Sequence, residues 1–182
     1  MDITCFAFLS RKLNWVMSFL FQRLKKLRFA LYYKYIKYSD IDFQRDSMKT
    51  PNQLITEAKN KVIEIKVEKL YEKYLEYPDL ISIDVREPEE YKTVAIDRAV
   101  NFPRGMLEMK IAQHPLVNHH CEIEHSLQEL SEKDIYLICG TGARSALSIQ
   151  ALQNMEFEKL YSVEGGMQAW IDAGYPTISY LN

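Results

Sequence analysis

The chain has 182 residues, 47% hydrophobic and 26% charged, and this size and composition suit one globular domain and leave little room for a second. The formal net charge of −2 is unevenly spread, because residues 1–47 carry nine basic and four acidic side chains, which leaves a net charge of −7 on residues 48–182. That negative balance argues against a nucleic-acid-binding face on the main body, and we expect no nucleic-acid partner.

The first 47 residues are basic and rich in aromatic side chains. Apolar residues recur every three or four positions and predict a helix with one apolar face: Phe6, Leu9, Leu13, Val16, Leu20, Leu24, Leu27 and Leu31. Arg11 and Lys12 interrupt the apolar run, so this helix is not expected to span a bilayer. The segment also lacks the small-residue cleavage site of a secretory signal.

Three interpretations of residues 1–47 stay open. The helix can lie on an anionic membrane surface at the inner face, or pack as an accessory helix on the domain or on a partner. Alternatively, Met48 is the true start and the segment is an upstream extension. We favour this last interpretation, because the amino-acid composition changes at Met48. The expected division is a head of residues 1–47 and a domain of residues 48–182.

Strands and helices alternate along residues 48–182. Helical spacing predicts helices over residues 54–60, 67–75, 146–155 and 165–170, with a further helical turn from Pro88. Apolar or alternating runs predict strands over residues 62–67, 80–85, 99–102, 135–139 and 160–163. This alternation predicts an α/β fold, with a five-stranded, mainly parallel sheet covered by helices on both faces.

The fourth predicted strand ends on Cys139, and a glycine-containing loop and a helix follow, for which Ser145 is a suitable N-cap. A thiol at such a junction lies beneath backbone N–H groups and the positive end of the helix, which favour a thiolate. Ligands of parallel sheets bind beyond the carboxyl ends of the strands. Residues 84–86, 139–144 and 164–166 are therefore expected to converge on one rim around a reactive cysteine.

Four motifs occur in order along the domain: Ile83-Asp84-Val85-Arg86-Glu87-Pro88, Ala99-Val100-Asn101-Phe102-Pro103-Arg104-Gly105, Cys139-Gly140-Thr141-Gly142-Ala143-Arg144-Ser145-Ala146 and Val163-Glu164-Gly165-Gly166-Met167-Gln168-Ala169-Trp170. Together they resemble the rhodanese domain, the fold of a family of sulfurtransferases, over about residues 52–177. The cysteine loop, followed by Gly-Gly and Trp, is the most specific part of the resemblance.

The resemblance implies that Cys139 attacks the outer sulfur of a donor such as thiosulfate, carries it as a persulfide and passes it to a thiol or cyanide acceptor. The persulfide-binding loop would consist of Gly140, Thr141, Gly142, Ala143, Arg144 and Ser145, whose N–H groups hold the negative sulfur. The implied partners are a small-molecule or protein-borne sulfur donor and a thiol acceptor. We expect no cofactor.

Three charged side chains near the loop have open roles. Arg144 can steer an anionic donor or brace the loop against a carboxylate. Asp84 and Arg86 are candidates for supporting contacts to the loop, but we favour a structural ion pair between them or with Glu90.

The sequence departs from the family pattern at three places. Residues 94–99 stand where the family often has Gly-His-Ile-Pro-Gly-Ala. Gly140 stands where arginine is often found, so thiosulfate is expected to bind weakly and another persulfide to be the better donor. Glu156 replaces a common glycine after the helix that follows the loop, which leaves Asn154 as the expected left-handed residue.

Two rival functions are compatible with a reactive cysteine. A cysteine phosphatase or arsenate reductase also uses a thiolate in an anion-binding loop, but the loop is one residue longer in the phosphatase relatives of this fold. The four residues between Cys139 and Arg144 favour a single sulfur atom as the guest. A non-catalytic interaction module, with Cys139 as a buried structural thiol, is the other alternative.

Histidines cluster between the third and fourth predicted strands. The segment contains His114, His119, His120, Cys121 and His125, whose spacing does not fit a structural zinc site. The adjacent residues 119–121 are expected to point in different directions, so we expect polar loop residues and no metal. Cys121 is a weaker candidate for a resolving thiol. Three cysteines, odd in number and far apart, form no disulfide framework and favour the cytoplasm.

Overall fold

A computed structural model describes residues 48–181. Its helices are α1 (Pro51–Lys59), α2 (Val67–Glu76), α3 (Pro88–Thr93), α4 (Leu107–Lys110), α5 (Ile123–Ser131), α6 (Ala143–Gln153) and α7 (Gly166–Asp172). Its strands are β1 (Ile63–Ile65), β2 (Ile81–Asp84), β3 (Val100–Asn101), β4 (Ile135–Ile138) and β5 (Leu160–Val163). Short 3₁₀ turns, Arg104–Met106 and Ile111–Gln113, flank α4.

The predictions for residues 1–47 lie outside the described residues. The helix, the membrane-surface contact and the upstream start therefore stay predictions, as does the division at Met48. Within residues 48–181, each helix is too short or too polar to cross a lipid bilayer. The cytoplasmic location also stays a prediction.

The five strands form one sheet in the order β1-β5-β4-β2-β3, and every neighbouring pair is parallel. The predicted five-stranded parallel sheet is confirmed. In the register, Asp84 at the end of β2 lies opposite Ile138 on one side and Asn101 on the other. The carboxyl ends of the central strands therefore reach the same edge of the sheet.

Two apolar clusters lie on opposite faces of the sheet, because successive strand residues point to opposite sides. Ile83 and Leu137 face a cluster that includes Leu130 of α5 and Ile149 of α6. Tyr136, Ile138 and Val163 face the other cluster, with Leu70 of α2 and with Met167 and Trp170 of α7. Helices cover both faces, as the alternation of elements predicts.

The start of α6 differs from the sequence-based expectation. The helix begins at Ala143, and its N-cap is Gly142 in the left-handed region with a φ of 88°. Ser145 is therefore not the N-cap but lies inside the first turn, where its hydroxyl donates to the Gly142 carbonyl at 3.1 Å. Glycine takes this conformation without the steric cost that a side chain would bring, so the chain enters the helix three residues early.

The end of α6 also differs from the expectation. Asn154 has a right-handed φ of −68°, whereas Glu156 has a φ of 66°. The Phe157 N–H donates to the Leu152 carbonyl and the Glu156 N–H to the Gln153 carbonyl. This pair of bonds is a Schellman motif, which requires the left-handed conformation at residue 156 whatever its side chain.

The segment of residues 94–99, which lacks the glycines and proline common in the family, has a defined conformation. Ala95 pairs with Ile178 in an isolated antiparallel bridge. Arg98 has a φ of 64°, and its guanidinium donates to the Pro78 and Tyr74 carbonyls at 2.9 Å each. These two bonds hold a left-handed residue where the family often has glycine.

Candidate active site

The loop after β4 is fixed in place by the start of α7. The Met167 N–H donates to the Cys139 carbonyl at 2.7 Å, and the Gln168 N–H donates to the Gly140 carbonyl at 3.1 Å. Carbonyl oxygens of the loop therefore meet the first N–H groups of a helix, which lack partners inside the helix. The ends of β4 and β5 converge on one rim, as predicted.

Gly166 makes this approach possible. Its φ is 59°, and a β-carbon there would collide with the Cys139 carbonyl oxygen and lie 2.9 Å from the Gly140 carbonyl carbon and oxygen. A glycine is needed because both the conformation and the space exclude a side chain. The Gly-Gly pair of the sequence thus serves a close contact between the helix and the cysteine loop.

The Cys139 thiol lies beneath the loop and is 1% exposed. Its Sγ accepts a hydrogen bond from the Gly142 N–H at 3.1 Å, and the Ser145 Oγ lies 3.7 Å away. The sulfur therefore sits at the N-terminus of α6, where the helix dipole and free N–H groups favour negative charge.

Two buried serines lie beside the sulfur. The Ser145 and Ser162 hydroxyl oxygens are 2.8 Å apart, and Ser162 belongs to β5. Ser145 has a single hydroxyl proton and donates it to the Gly142 carbonyl, so the Ser145 oxygen is left to accept from Ser162. The sequence analysis did not single out Ser162, for which the available signal is a single serine in a predicted buried strand.

Arg144 points to a carboxylate. Its Nη1 and Nη2 donate to the two oxygens of Glu90 in α3 at 2.6 and 2.8 Å. Glu90 also accepts from the Glu87 N–H at 3.2 Å. These donors lower the pKa of Glu90 to about 2, and Glu90 raises the pKa of Arg144 further above its usual range. The bidentate pair links the cysteine loop to the helix after β2.

Asp84 and Arg86 form a buried ion pair. Arg86 Nη2 lies 2.6 Å from Asp84 Oδ2, and the same Nη2 donates to the Val94 carbonyl at 2.6 Å. The Asn101 amide donates to the Asp84 and Arg86 carbonyls at 2.9 Å each. The sequence left two roles open for Asp84 and Arg86, contacts that support the loop or a structural ion pair, and the arrangement matches the ion pair. The pair also holds the turn after β2 against residue 94.

The remaining loop residues differ in exposure. Thr141 is exposed, Gly142 is buried, and Gly140 and Ala143 are half-buried. A β-carbon on Gly140 would lie 3.2 Å from Arg144 Nη2, so glycine leaves room for the Arg144–Glu90 pair.

A lysine that the sequence did not single out lies beside the loop. A β-carbon on Gly142 would be 3.4 Å from Nζ of Lys59, which also lies 3.4 Å from Oε1 of Glu64. Lys59 is the last residue of α1, and α1 packs against α6. The side chain of Lys59 is 32% exposed, and its ammonium group lies beside the loop with the Glu64 carboxylate as its partner.

The histidine segment is partly brought together. His114 is 4% exposed and stays apart from the others, with its pKa lowered to about 4 by burial. The rings of His119 and His120 are 4.1 Å apart and both face Glu129 of α5. The expectation that these neighbours point in different directions is therefore wrong. Cys121 is exposed and free, and its role as a resolving thiol stays a prediction.

One protein family matches this chain by sequence. A family model described as the rhodanese-like domain matches residues 67–173, which is more than half of the chain. The matched region contains β2 to β5, the cysteine loop and α7.

Individual relatives are similar over about two thirds of the chain. The Bacillus subtilis protein YrkF, provisionally named a sulfur carrier protein, is 31% identical over 63% of this chain and 54% of its own length. This chain therefore spans about half of that relative. The polysulfide-sulfur transferase homodimer of Wolinella succinogenes has a TM-score of 0.53 and 28% identity, over 69% of this chain and 85% of that one.

A further solved structure is similar over nearly its whole length. It belongs to a Rhodopseudomonas palustris protein of unknown function described as a possible tyrosine phosphatase. The TM-score is 0.59 with 26% identity, over 74% of this chain and 98% of that one.

Proposed function

The chain belongs to the rhodanese-like domain family, and on that premise we propose that it is a sulfurtransferase that carries sulfur as a persulfide on Cys139. Relatives named for sulfur transfer and sulfur carriage support sulfur transfer in general. The observation that carries the residue assignment is the Gly142 N–H, which donates to the Cys139 sulfur at 3.1 Å at the N-terminus of α6.

The proposed reaction has two displacement steps. In the first, the Cys139 thiolate attacks the outer sulfur of a donor. With thiosulfate, a new S–S bond forms at Cys139, the S–S bond of the donor breaks, and sulfite leaves with the bonding electron pair. In the second, a thiolate or cyanide attacks the outer sulfur of the persulfide, and Cys139 leaves as the thiolate. The enzyme returns to its starting state without an external oxidant or reductant.

The negative charge stays near one place through both steps, first on the thiolate and then on the outer sulfur of the persulfide. The first N–H groups of α6, those of residues 143–145, have no acceptor within the helix and are available to this charge. Met167 and Gln168 hold the loop carbonyls on the other side. A preorganised loop of this kind stabilises the anion without reorganising during the reaction.

Arg144 acts in this proposal as a positioning residue and a source of positive charge. Its bidentate bond to Glu90 fixes the guanidinium at the edge of the loop. The Asp84–Arg86 pair supports the neighbouring turn and does not contact the sulfur.

The donor is proposed to be a persulfide, with thiosulfate as a weaker donor. Gly140 contributes no charge, and Arg144 and Lys59 are partly neutralised by Glu90 and Glu64, so a dianion such as thiosulfate meets little free positive charge. A sulfur donor bound to a protein or a small thiol carries less negative charge. A thiol is the proposed acceptor.

A cysteine phosphatase is the second candidate function, favoured by the description of the Rhodopseudomonas palustris structure. Arg144 would then have to bind the phosphate oxygens, but both of its terminal nitrogens are bonded to Glu90. A non-catalytic interaction module is the third candidate function, and the burial of Cys139 favours it.

Intact mass spectrometry separates these functions. The protein is incubated with thiosulfate or glutathione persulfide, and its intact mass is measured. We expect the mass to increase by one sulfur atom and cyanide to remove that atom. Cys139→Ser should lose this gain, and the matched control Cys121→Ser should keep it. Turnover of an aryl phosphate without any sulfur gain would establish the phosphatase. A folded protein that neither gains sulfur nor is alkylated at Cys139 would establish the non-catalytic module.

A further inference from the structure

A group of possible metal ligands lies between β3 and β4, outside the cysteine site. His119 and His120 belong to the segment before α5, and Glu129 lies on the second turn of α5. One ligand atom from each residue lies within 4.8 Å of the other two. His119 and Glu129 are ten positions apart in the sequence, so the fold of the segment onto α5 creates the group.

The distances fit a small cation. The Glu129 Oε2 lies 2.8 Å from His120 Nε2 and 3.8 Å from His119 Nε2. Two ligand atoms bound at about 2.1 Å to a tetrahedral ion are roughly 3.4 Å apart, which lies between these two values. Small side-chain rotations would place all three atoms around one ion.

The chemistry of the ligands selects the type of cation. Two imidazole nitrogens and one carboxylate oxygen suit Zn²⁺, Ni²⁺ or Cu²⁺, whereas Mg²⁺ and Ca²⁺ prefer oxygen ligands alone. The side chains of His119, His120 and Glu129 are 61%, 28% and 37% exposed, so an ion can enter from solvent and keep one or more water ligands.

We propose that His119, His120 and Glu129 form a surface site for a divalent transition metal. The ion replaces the proton of the His120–Glu129 hydrogen bond and joins the segment before α5 to the helix itself. The ion binds only the folded chain, because the unfolded chain does not hold the three ligands together. Binding therefore stabilises the folded state. The proposal is independent of the sulfurtransferase function.

Two neighbouring side chains provide controls. His125 Nδ1 lies 3.9 Å from Glu122 and outside the group of three. Cys121 is exposed and follows His120 directly, so it tests whether a thiolate is a ligand. Cys5 and Cys139 are changed to serine in every sample, so that these two thiolates do not compete for the metal.

Calorimetric titration of the full chain with Zn²⁺ tests the site. One ion is expected to bind, and His119→Ala, His120→Ala and Glu129→Gln are each expected to weaken binding about tenfold or more. His125→Ala and Cys121→Ser should bind as the parent does. Thermal unfolding gives a second readout, since saturating Zn²⁺ should raise Tm in the parent and not in Glu129→Gln.

Three outcomes would overturn the proposal. The first is no heat and no Tm shift in the folded parent, and the second is unchanged affinity in the three ligand variants. The third is loss of binding in Cys121→Ser or His125→Ala, which would move the ion to another set of ligands. Circular dichroism establishes that each variant is folded before titration.

Discussion

The guanidinium of Arg144 is bound to the carboxylate of Glu90 by two hydrogen bonds of 2.6 and 2.8 Å, and this pair ties the cysteine loop to α3. Because the pKa of Glu90 is lowered to about 2, the pair is charged at any ordinary assay pH. The sequence left two roles open for Arg144, steering an anionic donor and bracing the loop against a carboxylate, and this contact matches the second.

Glu90→Gln is expected to lower kcat/KM for sulfur transfer about tenfold, because the neutral amide loses the charge-assisted bonds that fix Arg144. Arg144→Lys should have a similar effect, since an ammonium group cannot form the bidentate pair. Glu89→Gln is the matched control, because Glu89 is 82% exposed and pairs only with Lys92 among the described residues. Equal kcat/KM in Glu90→Gln and Glu89→Gln would contradict the positioning role.

Lys59→Gln is expected to raise KM for an anionic donor by roughly threefold and to leave kcat nearly unchanged, because the ammonium group attracts the donor without contacting the sulfur. The effect should shrink as salt is added. Steady-state kinetics at two ionic strengths measure both trends. Lys61→Gln, an exposed lysine two residues away, is the control and should behave as the parent does. A selective loss of kcat in Lys59→Gln would be the contrary result.

Gly166→Ala is expected to lower the free energy of unfolding by roughly 3 kcal/mol, since the methyl group meets the loop backbone and the residue is left-handed. Gly105→Ala is the control, because a β-carbon there has nothing within 4 Å and its φ is not positive. Urea unfolding of both variants provides the comparison. The close contact between α7 and the loop would be in doubt if the two variants were equally stable.

Glu156→Gly is expected to raise the free energy of unfolding by about 0.5–1 kcal/mol, because glycine adopts the left-handed conformation without steric cost. Asn154→Gly should give no gain, since residue 154 is right-handed. Both residues end the same helix, so the pair is well matched. A larger gain at residue 154 than at residue 156 would mean that the helix ends in another way.

Acid should destabilise the protein through His114. Its pKa is lowered from 6.5 to about 4 by burial, so between these pH values the unfolded state binds more protons than the folded state. Stability contributed by neutral His114 is therefore complete above pH 6.5 and falls as the pH decreases toward 4, by up to roughly 3 kcal/mol. No hydrogen-bond acceptor is in place for an added proton, because Nδ1 accepts from the Leu116 N–H and Nε2 has no partner among the described residues.

Urea unfolding at several pH values between 4 and 7 measures this dependence. His114→Gln should flatten the curve, whereas His125→Gln, at an exposed site, should keep the slope of the parent. Identical curves for the parent and His114→Gln would show that other groups cause the acid sensitivity.

The order of the elements and the position of the cysteine follow from the sequence, because both depend on local patterns. Short, mainly apolar segments predict β2, β4 and β5, and the spacing of apolar residues predicts α2. The strand-loop-helix arrangement also places Cys139 at a helix N-terminus. These features need no knowledge of distant contacts.

Cap positions were less predictable. Ser145 and Asn154 have the side chains that favour helix ends, but the helix begins after Gly142 and ends before Glu156. The backbone conformation at a helix end depends on the direction that the chain takes next, and here the cysteine loop and β5 set those directions. Side-chain preference is the weaker influence.

Only the tertiary structure decided which side chains meet. Glu90 reaches Arg144 across 54 positions of sequence, and Lys59 and Ser162 approach the cysteine loop from α1 and β5. The sequence contains all of these groups but not the distances between them, because the packing of parallel strands and their helices brings together residues far apart in the chain. The sequence therefore determined the fold and the position of the cysteine at a helix N-terminus, and the packing decided the electrostatic surroundings of that cysteine.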